Sequence, residues 1–95
     1  MTENPKRLTG RATLVNALGL HTRSAAMIAR VAKKARAGVR VKHGDLEADA
    51  ASVIDILTLA CPAGETLEFI IEAPEDCDIL KDLLDLVSNG FGEKQ

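Results

Sequence analysis

Residues 8–38 read LTGRATLVNALGLHTRSAAMIARVAKKARAG, and the way this stretch divides decides most of the fold. Leu8 to Val15 mixes β-formers with a glycine, and Ala12 and Leu14 alternate with polar neighbours, which predicts a strand stopping at Asn16. From Ser24 to Arg36 the period changes: Ile28, Val31, Ala32 and Ala35 recur at helical spacing and Gly38 supplies a stop, which predicts a helix. Between the two lies Gly19-Leu20-His21-Thr22-Arg23-Ser24, a strand exit that becomes a helix start.

Working outward, Val39–Lys42 and Leu46–Asp49 alternate on either side of His43, Gly44 and Asp45, the pattern of a tight hairpin that leaves His43 as an exposed turn residue. Asp49 and Ser52 are cap types ahead of a short apolar helix, Val53 to Ala60, closed by Cys61, Pro62, Ala63 and Gly64. Thr66 to Glu72 alternates Leu67, Phe69 and Ile71 with polar residues, giving a last strand. Pro74 opens a final helix with acids in its first turn, and Leu80, Leu83, Leu84, Val87 and Phe91 form one buried stripe before Asn89 and Gly90 end it. The order βαββαβα predicts an α+β fold with helices on one face of a mostly antiparallel sheet. Such an open sheet offers no large closed pocket, so function should lie at an edge or a helix end.

The 95 residues suit one domain, 1–95, with loose ends at about 1–7 and 92–95. With 46% hydrophobic and 27% charged residues, disorder and disulfide scaffolds are excluded. Phe69 and Phe91 are the only aromatic residues, so stacking on bases or sugars is a poor basis for recognition. No apolar run approaches the roughly 20 residues that span a bilayer, and the start lacks a signal-type apolar core, so a cytoplasmic location without membrane insertion is expected. Cys61 and Cys77 form no CxxC pair and have no metal-type spacing to His21 or His43, which leaves them as free packing thiols and gives no metal site. Through Lys42 the chain holds ten Lys/Arg against one acid, a balance of +9, and beyond it two against thirteen, −11. Without duplex-binding motifs or a basic overall charge, nucleic acid is not the expected partner; steering toward an acidic protein and a simple solvated face both fit.

His21 is the most informative residue. A histidine just ahead of the unfilled amides of a helix start, with Arg23 beside it, sits in a field that disfavours imidazolium and keeps the ring a neutral nucleophile, and that field would also receive an oxyanion. The alternative is that His21 ends a loop, with Thr22 or Ser24 capping the helix. In the second helix Val53, Ile56, Leu57 and Ala60 fill one stripe and Ile54 points elsewhere; an exposed docking patch with Leu57 at its rim and a helix buried on two sides are both open. Ser52 reads as an N-cap or as a phosphorylation site.

The segment Gly19-Leu20-His21-Thr22-Arg23 resembles the GLHxRPA signature of the HPr family, the histidine-containing phosphocarriers of the bacterial phosphotransferase system. The likeness runs through Glu47 to Ile54 and Gly64 to Leu67 into the last helix, about residues 8–92, and the stretches around Ser52 and Leu86–Phe91 are more similar to the nitrogen-branch type, NPr. The resemblance implies an HPr-like open-faced sandwich of four antiparallel strands and three helices. It implies that His21 takes a phosphoryl group on Nδ1 from phosphorylated Enzyme I and hands it to an EIIA-type protein, as a carrier with no cofactor and no small-molecule substrate of its own. Arg23 would neutralise phosphoryl charge, with Thr22 and Ser24 at the phosphoryl site. Thr22, Ala26, Met27, Arg30, Val53, Ile54 and Leu57 would form the docking face, and Ser52 would match a serine that a kinase modifies in some bacteria. A single chain visiting two partners through one face is expected to be a monomer. The alternative is a regulatory HPr-like binding module switched at His21 or Ser52. Ser24 replaces the family's proline, which should loosen the helix start by about 0.5–1 kcal/mol while adding a hydroxyl able to cap an amide.

Overall fold

A computed structural model of the chain describes residues 7–93. Its strands are β1 (Leu8–Thr13), β2 (Val39–His43), β3 (Leu46–Asp49) and β4 (Thr66–Ile71), and its helices are α1 (Thr22–Ala32), α2 (Val53–Leu57) and α3 (Cys77–Ser88). Single 3₁₀ turns occupy Pro74–Asp76 and Gly90–Gly92. The strands pair antiparallel in the order β1-β4-β2-β3, and the helices cover one face of this open sheet.

The period-2 pattern explains both faces. Gly10, Phe69, Val41 and Ala48 lie in one row across the four strands on the helix side, and Phe69, Val41 and Ala48 are fully buried. Gly10 makes room for α3: a Cβ there would come 2.7 Å from Leu84 Cδ1. The next row, on the open face, is Arg11, Glu68, Lys42 and Glu47, with alternating charge. The basic first half and acidic second half of the chain therefore interleave on this face instead of forming two poles. Arg7 reaches Glu72 at 3.4 Å, Arg11 reaches Glu68 at 4.0 Å and Arg40 reaches Glu47 at 2.8 Å. Below the sheet, Leu80, Leu83, Val87 and Phe91 bury the expected stripe of the last helix, joined by Ile28 and Ile56.

The element ends differ from the sequence expectation for local reasons. α1 begins at Thr22 rather than Ser24 because His21 itself takes the N-cap position. It ends at Ala32 rather than Arg36 because the Lys34 and Ala35 amides drop to the tighter i−3 carbonyls of Val31 and Ala32. β1 ends at Thr13 because Leu14 exchanges its bonds with the turn residues Gly64 and Glu65. α2 ends at Leu57 rather than Ala60, since Leu59 and Ala60 bond i−3 and Ala60 adopts a positive φ of 48°. His43 ends β2 half-buried instead of standing exposed in the turn, and Cys77 opens α3 exposed instead of packed. Residues 1–6 and 94–95 of the expected loose ends lie outside the described residues. Gly92 and Glu93 are not loose: Gly90, Phe91 and Gly92 all take positive φ, reversing the chain so that Glu93 packs back on the fold.

A buried acid joins the ends of α1 and α3. Asp76 is 2% exposed, and its two carboxylate oxygens accept the Arg36 amide at 2.8 Å and the Ala37 amide at 2.9 Å. Those two amides hold its carboxyl below the ordinary value of 3.8. A lowered folded-state pKa stabilises the fold above that value, and the contribution is lost as pH falls through the depressed one. Asp76→Asn should lower the melting temperature at neutral pH, and thermal scans should show the gap to the parent closing as pH drops below 3.8.

Candidate functional site

The loop from Asn16 to His21 is positioned by main chain. Gly19, at φ +66°, lies so close to the α2–β4 connection that a Cβ would meet Ala63 N at 2.7 Å and the Pro62 carbonyl carbon at 2.9 Å. Its amide donates to Asn16 O at 3.1 Å, and the Leu20 amide donates to Cys61 O at 3.0 Å. The chain therefore enters α1 with His21 extended, φ −144° and ψ −177°, in the cap place. The first intrahelical bond runs from the Ala25 amide to His21 O at 2.8 Å, leaving the amides of Thr22, Arg23 and Ser24 without an acceptor inside the helix. The imidazole stands over the Ser24 amide in capping-box fashion, although no full side-chain cap bond closes there.

Ser24 supplies the amide-capping hydroxyl that its place in the sequence suggested. Its hydroxyl is fully buried, accepts the His21 amide at 2.9 Å, and can turn its own hydrogen to His21 O at 3.0 Å or Gly19 O at 3.4 Å. Its side chain faces the loop backbone rather than an incoming ligand, so only its amide remains for a phosphoryl group.

Two residues that sequence reasoning missed complete the site. Asn16, fully buried, donates from Nδ2 to Gly19 O at 2.8 Å and to Glu93 Oε1 at 3.0 Å, while its Oδ1 finds no partner among the described residues. The other oxygen of Glu93 lies 2.9 Å from His21 Nε2, with the side chains 10% and 27% exposed. The Asn16 bond above all, with the His21 bond and the charge of Arg23 adding, holds the Glu93 carboxyl below its ordinary range against the opposing effect of burial. Ionised at neutral pH, Glu93 can only accept, so Nε2 carries the hydrogen and the neutral ring keeps its lone pair on Nδ1, on the side of the Ser24 amide. The ring therefore faces a carboxylate as well as the positive groups the sequence suggested. No sequence signal marked Glu93, which sits 72 positions from His21 beyond a glycine turn.

The remaining predicted residues fall as follows. Thr22, Arg23 and Arg30 are exposed on α1, and Ala26 and Met27 are half-buried. α2 packs against α1, with Val53 and Leu57 half-buried and Ile54 80% exposed, which decides between the two readings its spacing left open. Leu18, in the loop before His21, is 70% exposed and was not singled out. Ser52 caps α2, its Oγ accepting the Asp55 amide at 3.2 Å. The cysteine expectation holds for the burial of Cys61, whose thiol is pushed up to about 11 by burial with the Glu65 charge adding. It fails for its surroundings, because folding brings Cys61 beside His43 and Glu65. The open-face groove lined by Arg11, Thr13, Lys42, Thr66 and Glu68 takes in none of the residues around His21.

An imidazole lone pair at a helix start, beside three amides without an acceptor inside the helix and an exposed guanidinium, is a nucleophile with an anion cradle. Against known proteins, the sequence profile PTS-HPr, described as "PTS HPr component phosphorylation site", matches residues 8–89. The chain belongs to the HPr family. Its sequence is 31% identical over 81 residues to the phosphocarrier protein HPr of Cupriavidus necator, covering 85% of this chain and 91% of that one. It is also 31% identical over 87 residues to the phosphocarrier protein NPr of Shewanella violacea, covering 92% and 96%. Among solved structures, an HPr from Thermoanaerobacter tengcongensis superposes with a TM-score of 0.85 at 26% identity, covering 93% of this chain and 99% of that one. The four-stranded open-faced sandwich is thus that of HPr structures, as the resemblance implied.

Two outcomes are expected. Gly19→Ala, which forces a Cβ into backbone at a left-handed φ, should cost about 1–3 kcal/mol in denaturant unfolding. In ¹⁵N spectra of the imidazole, the parent at neutral to mildly basic pH should show His21 protonated at Nε2, and Glu93→Gln should shift the neutral ring toward a mixture of tautomers.

Proposed function

We propose that His21 Nδ1 is the atom that carries the phosphoryl group, taken from phosphorylated Enzyme I and passed to a histidine of an EIIA-type protein. As an HPr-family chain, the protein is a phosphoryl carrier of the phosphotransferase system and acts with other proteins of that system. The observation that carries the assignment to His21 is the Glu93 contact at Nε2, which puts the ring hydrogen there and the nucleophilic lone pair on Nδ1 at the α1 start.

In the transfer, the Nδ1 lone pair forms a bond to phosphorus as the donor's own bond to phosphorus breaks, and the donor nitrogen keeps that electron pair. The hydrogen on Nε2 stays in place, so the phosphorylated ring is cationic and Glu93 faces that charge. The phosphoryl oxygens meet the amides of Thr22, Arg23 and Ser24, with Arg23 free to follow them. Handing the group on reverses these steps at the acceptor's histidine, and no cofactor takes part.

Docking is assigned to the surface around the ring: Thr22, Ala26, Met27 and Arg30 on α1, and Val53, Ile54 and Leu57 on α2. Exposed Ile54 gives this face an apolar centre, and Arg23 and Arg30 give it positive charge suited to acidic partners. The carrier works as a monomer of one domain in the cytoplasm, since both partners must reach the same imidazole; among the described residues no helix is long and apolar enough to cross a membrane. Ser52 stays outside this reading. Its hydroxyl holds the Asp55 amide, and Asp49 and Asp55 carboxylates bond the Ala51 and Asp49 amides around it, so a phosphoryl group there would meet like charge.

Incubation with Enzyme I and phosphoenolpyruvate should add one acid-labile phosphoryl group that His21→Ala abolishes. Arg23→Ala should slow transfer about tenfold, equivalent to ~1.4 kcal/mol in the barrier. Ile54→Glu should raise the apparent KM for the partner with an unchanged melting temperature. A phosphoryl group that persists in His21→Ala would overturn the assignment.

A further inference from the structure

Away from His21, folding gathers three side chains whose chemistry the carrier role does not use. His43 ends β2, Cys61 lies in the α2–β4 connection and Glu65 immediately precedes β4. The His43 Nδ1–H donates to the Leu59 carbonyl at 2.9 Å, which turns the Nε2 lone pair toward Glu65 Oε1, 2.5 Å away. With Nδ1 already the donor, a neutral ring and an ionised carboxylate would meet lone pair to lone pair, so a cation must lie between them, either a proton or a metal. Cys61 Sγ joins this point: the sulfur, a ring nitrogen of His43 and a Glu65 oxygen all lie within 4.8 Å of one another. The nearest partner of that sulfur is the Pro62 carbonyl at 3.9 Å, a weak contact that a metal would replace.

We propose that His43, Cys61 and Glu65 form a binding site for a zinc-type divalent cation, with a fourth position open to water. The mixed sulfur, nitrogen and oxygen donors suit zinc and not calcium or magnesium, which take oxygen ligands. A backbone carbonyl on the far ring nitrogen is the orientation that ligating histidines adopt. Tetrahedral zinc, with bonds of about 2.0–2.3 Å, needs ligand atoms roughly 3.3–3.8 Å apart, so the His43–Glu65 contact must open by about an ångström. Glu65, 55% exposed, is free to make that movement. The thiol proton leaves to solvent as the thiolate binds.

The test is titration of the full-length protein with Zn²⁺ by calorimetry and with Co²⁺ by absorption. One equivalent should bind, and Co²⁺ should give a thiolate-to-metal charge-transfer band with tetrahedral d–d absorption. Cys77→Ser and His21→Ala should keep that signature, whereas Cys61→Ser and His43→Gln should remove it. Should those two variants lose the fold by circular dichroism, the surface variant Glu65→Gln decides, with affinity expected to fall at least about tenfold. Absence of the band in the parent, its survival in folded Cys61→Ser, its loss in Cys77→Ser, or an unchanged affinity in Glu65→Gln would each overturn the proposal.

Discussion

Because Gly19 has no side chain, the strand-exit loop can lie with its backbone directly on Pro62 and Ala63, and the geometry around His21 descends from that approach. Leu20 then takes the Cys61 carbonyl, the chain arrives at α1 extended, and the imidazole stands at the cap while three amides remain unfilled. A side chain at residue 19 would lift the loop and move the ring relative to those amides. The glycine of the motif is thus a steric requirement of the α2–β4 connection as much as of the helix.

The charges around the ring oppose one another in a way suited to a group that must arrive and leave. In the transfer proposed for His21, the α1 amides and Arg23 would favour the phosphoryl oxygens, while Glu93, on the opposite ring nitrogen, would favour the cationic phosphoimidazole and disfavour the added negative charge. Asn16 holds that carboxylate in place and in its ionised form. Tighter binding of the phosphoryl group alone would slow its release, so a balanced site serves a carrier better than a strong one.

Periodicity made the larger elements legible. The β2–β3 hairpin and the buried stripe of α3 follow from spacing along ten or so residues, whereas spacing left the exposure of Ile54 open. The helix start was legible as a position, and the resemblance to HPr pointed to its histidine. Asn16 and Glu93 were not legible, because their roles depend on contacts the local pattern does not encode. The hydroxyl of Ser24 substitutes a capping bond for proline's ring, and Glu93 arrives only because Gly90, Phe91 and Gly92 turn left-handed in succession. Likewise, Cys61 lies 18 positions past His43 in sequence, and only the pairing of β2 with β4 makes them neighbours. Helix ends were misplaced where the last amides drop to i−3 carbonyls, as at Lys34 and Ala35, after which Asp76 takes the Arg36 and Ala37 amides.

The return of the chain at Glu93 ties the segment after α3 to the ring at the α1 start, 72 positions away in sequence. A substitution in the Gly90–Gly92 reversal, which touches neither α1 nor the imidazole, would therefore act at a distance on the ring's hydrogen bonding by displacing that carboxylate.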